Sequence, residues 1–207
     1  MSAQVIGSLD AALEAVAAGR IVVIAGDRLR GGDIDLMVAA KHVTPESINF
    51  MATYGRGLIC LAVTPARAEQ LGLSLVNPGT ARQTGRPFAR SIEAAEGVST
   101  GISAADRAHT VQVAIAEGAT SQHIHSPGHV FPLIARPGGV RERASACEAS
   151  IDLARLAGAG DAAVICSIMR DDGEMARLDD IGDLIAAHGL EVADIGALIA
   201  RLEGAAA

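Results

Sequence analysis

Three stretches of this 207-residue chain carry side chains that could do chemistry. Asp27-Arg28-Leu29-Arg30-Gly31-Gly32-Asp33 sets two arginines beside paired glycines. That suits an anion, because glycine lets backbone N–H groups approach it, although paired glycines alone mark only a turn. Pro127-Gly128-His129 offers an imidazole that titrates near neutral pH; a histidine of this kind is more often a structural hydrogen-bonding residue. Arg143-Ala144-Ser145-Ala146-Cys147 puts a thiol just after a guanidinium. A thiol reacts only when its pKa is depressed, which Arg143 would supply; otherwise Cys147 is inert packing. Asp27, Asp33 and Asp35 are oxygen donors. Asp35 reads as a solvated loop residue, since burying an unpaired carboxylate is costly. His123-Ile124-His125 with His129 is an alternative metal set, with His123 and His125 on one strand face. Its spacing matches no standard zinc site, and surface histidines are the plainer reading.

These residues need elements to hold them. Ser8 caps a helix bearing Leu9, Leu13 and Val16 and stopping at Gly19. Ile21 to Ala25 is a buried strand, and Asp27 to Asp35 the loop after it. Thr44-Pro45-Glu46 and Thr64-Pro65 start helices, each with a cap followed by proline. Leu58 to Val63 is a second apolar strand, and Asn77 to Arg86 a loop. Ser103 begins a helix running to about Glu117. Val130 to Ala135 and Ala163 to Met169 are strands, Glu148 to Ala157 a helix ending at Gly158. Asp179 to His188 and Asp194 to Leu202 are amphipathic helices, followed by an Ala-rich end that frays. Apolar strands alternating irregularly with helices predict an α+β fold. The expectation is a single domain over residues 1–207, with a mixed β-sheet between helical layers.

Composition narrows the function classes. Half of the residues are hydrophobic and a fifth charged, the profile of an ordinary globular chain. Aromatics are 2%, which leaves no platform for stacking single-stranded bases. Seventeen Lys+Arg against 24 Asp+Glu give a net charge of −7, which repels phosphate backbones and argues against nucleic acid as a partner. Cys60, Cys147 and Cys166 are odd in number and form no CxxC pair, pointing to reduced thiols and a cytoplasmic location. The first twenty residues do not read as a signal peptide, and no run approaches a membrane span.

Several segments together carry a resemblance. They are the Asp27–Asp33 loop, Tyr54-Gly55-Arg56-Gly57, Ser99-Thr100-Gly101-Ile102-Ser103-Ala104-Ala105-Asp106-Arg107, Pro127-Gly128-His129-Val130-Phe131-Pro132-Leu133, Pro137-Gly138-Gly139-Val140, and the stretch from Cys166 to Asp171-Asp172-Gly173-Glu174-Met175-Ala176-Arg177. From about Leu9 to Leu202 the chain resembles the 3,4-dihydroxy-2-butanone 4-phosphate synthase family. The resemblance implies a three-layer α+β sandwich with a mixed sheet. It also implies a homodimer with active sites at the subunit interface, and conversion of ribulose 5-phosphate to formate and a four-carbon ketone phosphate with Mg2+, for riboflavin synthesis. Arg28, Asp33, Cys60, Thr100, Asp106, Arg107, His129 and Arg143 match the family pattern. The family loop Asp-Arg-Glu-Asn-Glu-Gly-Asp has Leu29 and Gly31 here in place of its glutamates, the first of them a metal ligand, and Arg30 is an added cation. Ala146 stands at the family's metal-binding histidine, Cys147 at a phosphate-contacting threonine, and Ser167 at a catalytic glutamate.

The expected enzyme is therefore a divergent, lyase-like member without the usual Mg2+ site. It would work by enolisation, elimination or carbon–carbon cleavage on a small phosphorylated or carboxylated carbonyl compound in specialised biosynthesis. Arg28, Arg30, Thr100, Arg107 and Arg143 are the expected anion-binding residues, although Asp106-Arg107 reads first as support for its helix start. Asp33, His129 and Cys147 are the expected proton-transfer or nucleophilic groups. No metal ligands or cofactor are expected, unless the family reaction is retained with Mg2+. The alternatives are that ordinary synthase reaction and a non-catalytic partner subunit of an active paralogue.

Overall fold

The computed structural model describes residues 7–79 and 87–205. The expected ends at 1–6 and 206–207 and much of the expected loop, 80–86, lie outside the described residues. Helix α1 (Leu9–Ala17) starts as its sequence predicts, with the Ser8 hydroxyl accepting from the Ala11 N–H. Strand β1 (Val22–Asp27) follows, and then β2 (Asp33–Ala39). Next come α2 (Pro45–Phe50), β3 (Cys60–Val63) and α3 (Pro65–Gln70). Thr44 and Thr64 cap the two helices as expected. The remaining elements are β4 (Ile92–Ala94), α4 (Ala104–Ile115), β5 (Ile124–Ile134), α5 (Ala146–Leu156), β6 (Ala163–Ser167), α6 (Gly182–His188), β7 (Glu191–Asp194) and α7 (Ile195–Gly204).

The strands form one seven-stranded sheet in the order β4-β5-β3-β6-β2-β1-β7. β1 runs parallel to β7 and β3 to β5, and the other neighbours are antiparallel. One face packs on α1, α5 and α7 through Val16, Ile151, Leu153 and Leu198. The other packs on α2, α3, α4 and α6 through Ile48, Leu71, Val111 and Leu184. The result is the three-layer α+β sandwich with a mixed sheet that the sequence predicted. The fully buried part of each layer is aliphatic, with Phe50 packed against one core and Phe88 and Phe131 against the other. A fully buried Leu such as Leu36 or Leu61 contributes about 1.5–3 kcal/mol.

Strands β2, β4, β5 and β7 depart from the sequence reading: β4 has no counterpart in it, and β5 starts at Ile124 rather than Val130. Asp33 to Ala39 is not the tail of a loop but β2, buried along its whole length. Its alternation is concealed because Ile34, Leu36 and Val38 face one layer while Asp33, Asp35 and Met37 face the other. Glu191 to Asp194 forms the short edge strand β7 and then caps α7, the Asp194 carboxylate accepting from the Ala197 N–H at 2.9 Å.

Candidate functional site

The β1–β2 connection builds the centre of the site. β1 ends at Asp27, and a single 3₁₀ turn (Arg28–Arg30) follows. Asp27 Oδ1 accepts the Leu29 and Arg30 N–H groups at 3.0 and 3.2 Å, and the Asp27 carbonyl accepts from Gly32 N–H. The turn closes through Gly31 and Gly32, both at positive φ (65° and 86°), which glycine adopts without steric cost. Several loop amides that the sequence offered to an anion are therefore spent on Asp27. Asp27 Oδ2 accepts two further bonds at 2.9 Å, from Arg30 Nε and from the Ala146 N–H at the start of α5.

Arg30 folds back over the sheet. Its guanidinium pairs with Asp35, and Nη1 donates to Ser167 Oγ at 3.2 Å. Ser167 Oγ in turn donates to Asp35 Oδ1 at 2.7 Å. The register explains the meeting, because Asp35 and Ser167 are direct cross-strand partners in β2 and β6. Asp27 is 0% and Asp35 1% exposed, and Arg30 only 17%. Asp35 is thus not the solvated loop residue expected; its burial is made tolerable by a guanidinium and a hydroxyl. Burial opposes the charge on Arg30, but Asp35 and Asp27 outweigh it and raise the guanidinium's pKa.

A cavity of about 220 Å³ opens beside this cluster, lined by Arg30, Asp33, Asp35, Arg143, Ser145 and Ser167 among others. Asp33 is buried and paired with Arg177, a residue the sequence reading did not select as part of the site. Arg143 faces the buried Glu148 at 3.5 Å. Glu148 Oε1 also accepts the Arg136 N–H at 2.9 Å. Burial pushes the Glu148 carboxyl up, with Arg143 pulling it partly back. Arg143 Nε and Glu148 Oε2 are buried with no hydrogen-bond partner among the described residues. A buried unpaired donor at a cavity wall is what an anionic ligand would satisfy.

Cys147 and Cys60 also line the cavity. Burial drives the Cys147 thiol well above its ordinary pKa; Glu148 adds to this and Arg143 only partly counters it. Its sulfur points to the Leu133 carbonyl at 3.9 Å. The nucleophilic role expected for Cys147 is therefore withdrawn in favour of packing, since a nucleophile needs the opposite shift.

Four expected site residues do not line this cavity. Arg28 and Thr100 are exposed. His129 pairs with Glu93 at 3.3 Å on the β4–β5 ribbon at one side of the sheet. Arg107 lies on α4, its Nε buried with no hydrogen-bond partner among the described residues, and burial lowers its pKa. Its neighbour Asp106 accepts the Ser99 hydroxyl and the Ser99 and Gly101 N–H groups, holding the 99–101 segment against the helix start. The alternative histidine set is not gathered: His123 sits in a turn before β5 rather than on the strand, its Nδ1 accepting the Thr120 N–H, and among the described residues no three ligating side chains come together.

The donor set does not fit Mg2+, which takes several oxygen ligands and water at short range. Asp27 is saturated, Asp35 is held by Arg30 and Ser167, and Asp33 by Arg177. Leu29 points outward, 54% exposed, and Ala146 offers only a methyl group. Among the described residues no group of three or more His, Cys, Asp or Glu is gathered for a metal. No helix among them is long and apolar enough to cross a membrane.

Comparison with known proteins agrees with the fold and the family. The sequence pattern of 3,4-dihydroxy-2-butanone 4-phosphate synthase matches residues 10–201. The chain is 50% identical over 194 residues to the riboflavin biosynthesis protein RibBA of Aquifex aeolicus, covering 93% of this chain and 48% of that protein. It is 46% identical to the 3,4-dihydroxy-2-butanone 4-phosphate synthase of Pseudomonas aeruginosa, covering 94% and 53%. The chain thus spans about half the length of these relatives. Among solved structures, a 3,4-dihydroxy-2-butanone 4-phosphate synthase in complex with two magnesium ions superposes with a TM-score of 0.89 at 35% identity, covering 96% of this chain and 98% of that one. At these levels of identity and coverage, the chain belongs to the 3,4-dihydroxy-2-butanone 4-phosphate synthase family.

Proposed function

We propose that the chain carries out the reaction its family is named for, converting ribulose 5-phosphate to formate and 3,4-dihydroxy-2-butanone 4-phosphate in riboflavin biosynthesis, as a cytoplasmic enzyme. The observation that carries this reading is the cavity wall formed by Arg143, with its unpartnered Nε, and Arg30, beside Asp33 and the hydroxyls of Ser145 and Ser167. The near-half identity to proteins named as this synthase favours it over the divergent enzyme that the sequence suggested. Arg143 would take the phosphate through charge-assisted bonds. Arg30 would face oxygen atoms that gain charge as the ketose enolises. Asp33, paired with Arg177, is the group placed to accept a proton.

A homodimer with the site at its subunit interface belongs to the same proposal. Arg28, Thr100, Arg107 and His129 lie outside the cavity of one chain and would enter a shared site from its partner. The supporting observation for a second reading is Arg30 lying between Asp27 and Asp35. It favours a different small phosphorylated or carboxylated carbonyl compound, handled without the family's metal.

The test is formate release from ribulose 5-phosphate by purified protein, with Mg2+ and then with chelator. Formate in either condition supports the synthase reading. No formate in both refutes it and directs the search to other anionic carbonyl compounds, or to a catalytic paralogue that copurifies with a non-catalytic chain.

A further inference from the structure

We infer that Arg30 is a built-in cation: its guanidinium fills an all-oxygen cradle formed by Asp27, Asp35 and Ser167, keeps divalent metal out of it, and turns the remaining N–H edge toward an anion in the adjoining cavity. The cradle has the composition of a hard-cation site, with two carboxylates and a hydroxyl converging from β1, β2 and β6. The position of positive charge is instead occupied by three guanidinium nitrogens, each with an oxygen partner. Nε bonds Asp27 at 2.9 Å, Nη1 bonds Ser167 at 3.2 Å, and Nη2 pairs with Asp35.

The arrangement is fixed from both sides. The backbone of Arg30 is pinned by Asp27 Oδ1 at 3.2 Å, and the other Asp27 oxygen is tied to the first turn of α5 at Ala146. A side chain held at backbone and tip cannot swing out without leaving two carboxylates buried and unpaired, which is strongly unfavourable. A divalent ion entering the cradle would need either that displacement or close approach to a guanidinium of like sign. The same guanidinium lines the cavity together with Arg143, Asp33 and Asp35, with Asp33 paired to Arg177 and Asp35 to Arg30 itself. Planar N–H edges that are charged yet oriented by their own carboxylates are preorganised for an incoming oxyanion.

This inference rests on the proposed function only in treating the cavity as an anion site; its metal half is independent of substrate. The experiment titrates Mn2+ into the full chain by electron paramagnetic resonance, and follows inorganic phosphate binding by calorimetry in chelator. The unmodified chain is expected to leave the Mn2+ signal that of the hydrated ion and to bind phosphate in chelator. R30Q, which uncovers the cradle, is expected to bind Mn2+ near one equivalent and to lose at least about tenfold in phosphate affinity. R30K, which keeps the charge, is expected to exclude Mn2+ and to bind phosphate more tightly than R30Q. Circular dichroism establishes that each variant is folded; if R30Q is not, R30K against the unmodified chain decides.

Stoichiometric Mn2+ binding by the unmodified chain or by R30K overturns the inference. So does a folded R30Q that gains no Mn2+, or phosphate binding that is absent in the unmodified chain or unchanged in R30Q. Failure to release formate, with Mn2+ excluded and phosphate bound as expected, faults the proposed reaction and leaves the inference standing.

Discussion

Replacing Arg30 by Met is the most direct probe of the polar cluster. Met approximates the length of the side chain and removes its charge and its bonds to Asp27, Asp35 and Ser167. What remains is two carboxylates at 0% and 1% exposure with their cation gone. Removing one partner of a buried pair costs about 3–5 kcal/mol; Arg30 is itself partly open to solvent, so the lower end, about 3 kcal/mol, is expected. That is a large share of the roughly 5–15 kcal/mol by which a domain is stable. At roughly 2–4 °C per kcal/mol for a domain of this size, Tm should fall by roughly 6–12 °C. Urea unfolding of R30M, D35N and the double variant measures the coupling. The double variant should be more stable than the sum of the single losses by about 1 kcal/mol or more, because D35N removes the charge that R30M strands. A loss below about 0.5 kcal/mol in R30M, the range of an ordinary surface change, or strict additivity in the cycle, would refute the reasoning.

Other predictions follow from single side chains. R143M should weaken phosphate binding by about 10- to 150-fold, the equivalent of one or two charge-assisted bonds, as read by calorimetry. None of the three buried thiols should react with a disulfide reagent at pH 8 while the chain is folded, and all should react in denaturant; burial pushes Cys166 up to about 12 and Cys60 and Cys147 upward as well. Glu148 carries a pH signature of definite sign. Its folded pKa is raised above the ordinary 4.5, so the native state binds the proton more tightly than the unfolded chain does. Its contribution to stability must therefore fall as pH rises from about the unfolded value to the raised folded one, and E148Q should remove that decline in urea melts taken across the window. D194A should cost about 0.5–2 kcal/mol through loss of the α7 cap, measured in the same melts.

The frame of the fold was legible because its signals are local. Ser8, Thr44, Thr64 and Ser103 each cap the helix that follows, and each can be recognised from the few residues around it. β2 escaped because Asp33 and Asp35 break an otherwise apolar run, and carboxylates in a strand suggest solvent. What buries them comes from elsewhere in the chain: Ser167 across the sheet for Asp35, Arg177 for Asp33, and Arg30 from the turn between the strands. Those pairings span up to 144 positions, and neither periodicity nor spacing encodes them. The family resemblance supplied Arg143 and Asp33, which the cavity does gather. It also carried Arg28, Thr100, Arg107 and His129, which one chain's cavity does not.

Arg30 shows how far a residue's type can be read and where its meaning changes. From the sequence it is a cation in a glycine-rich loop, free to meet an anion from solvent. In the fold its charge is first claimed by Asp27 and Asp35. Only the side of the guanidinium that meets the cavity remains for a ligand. The two readings differ in what they demand of substitution. A loop arginine could become lysine or glutamine with an effect on binding alone. An arginine that neutralises buried carboxylates must affect stability and binding together, and by amounts that depend on whether Asp35 keeps its charge. That joint dependence, in which D35N softens the stability loss of R30M and leaves its loss of phosphate binding in place, separates a structural cation at the cavity from one that merely visits it.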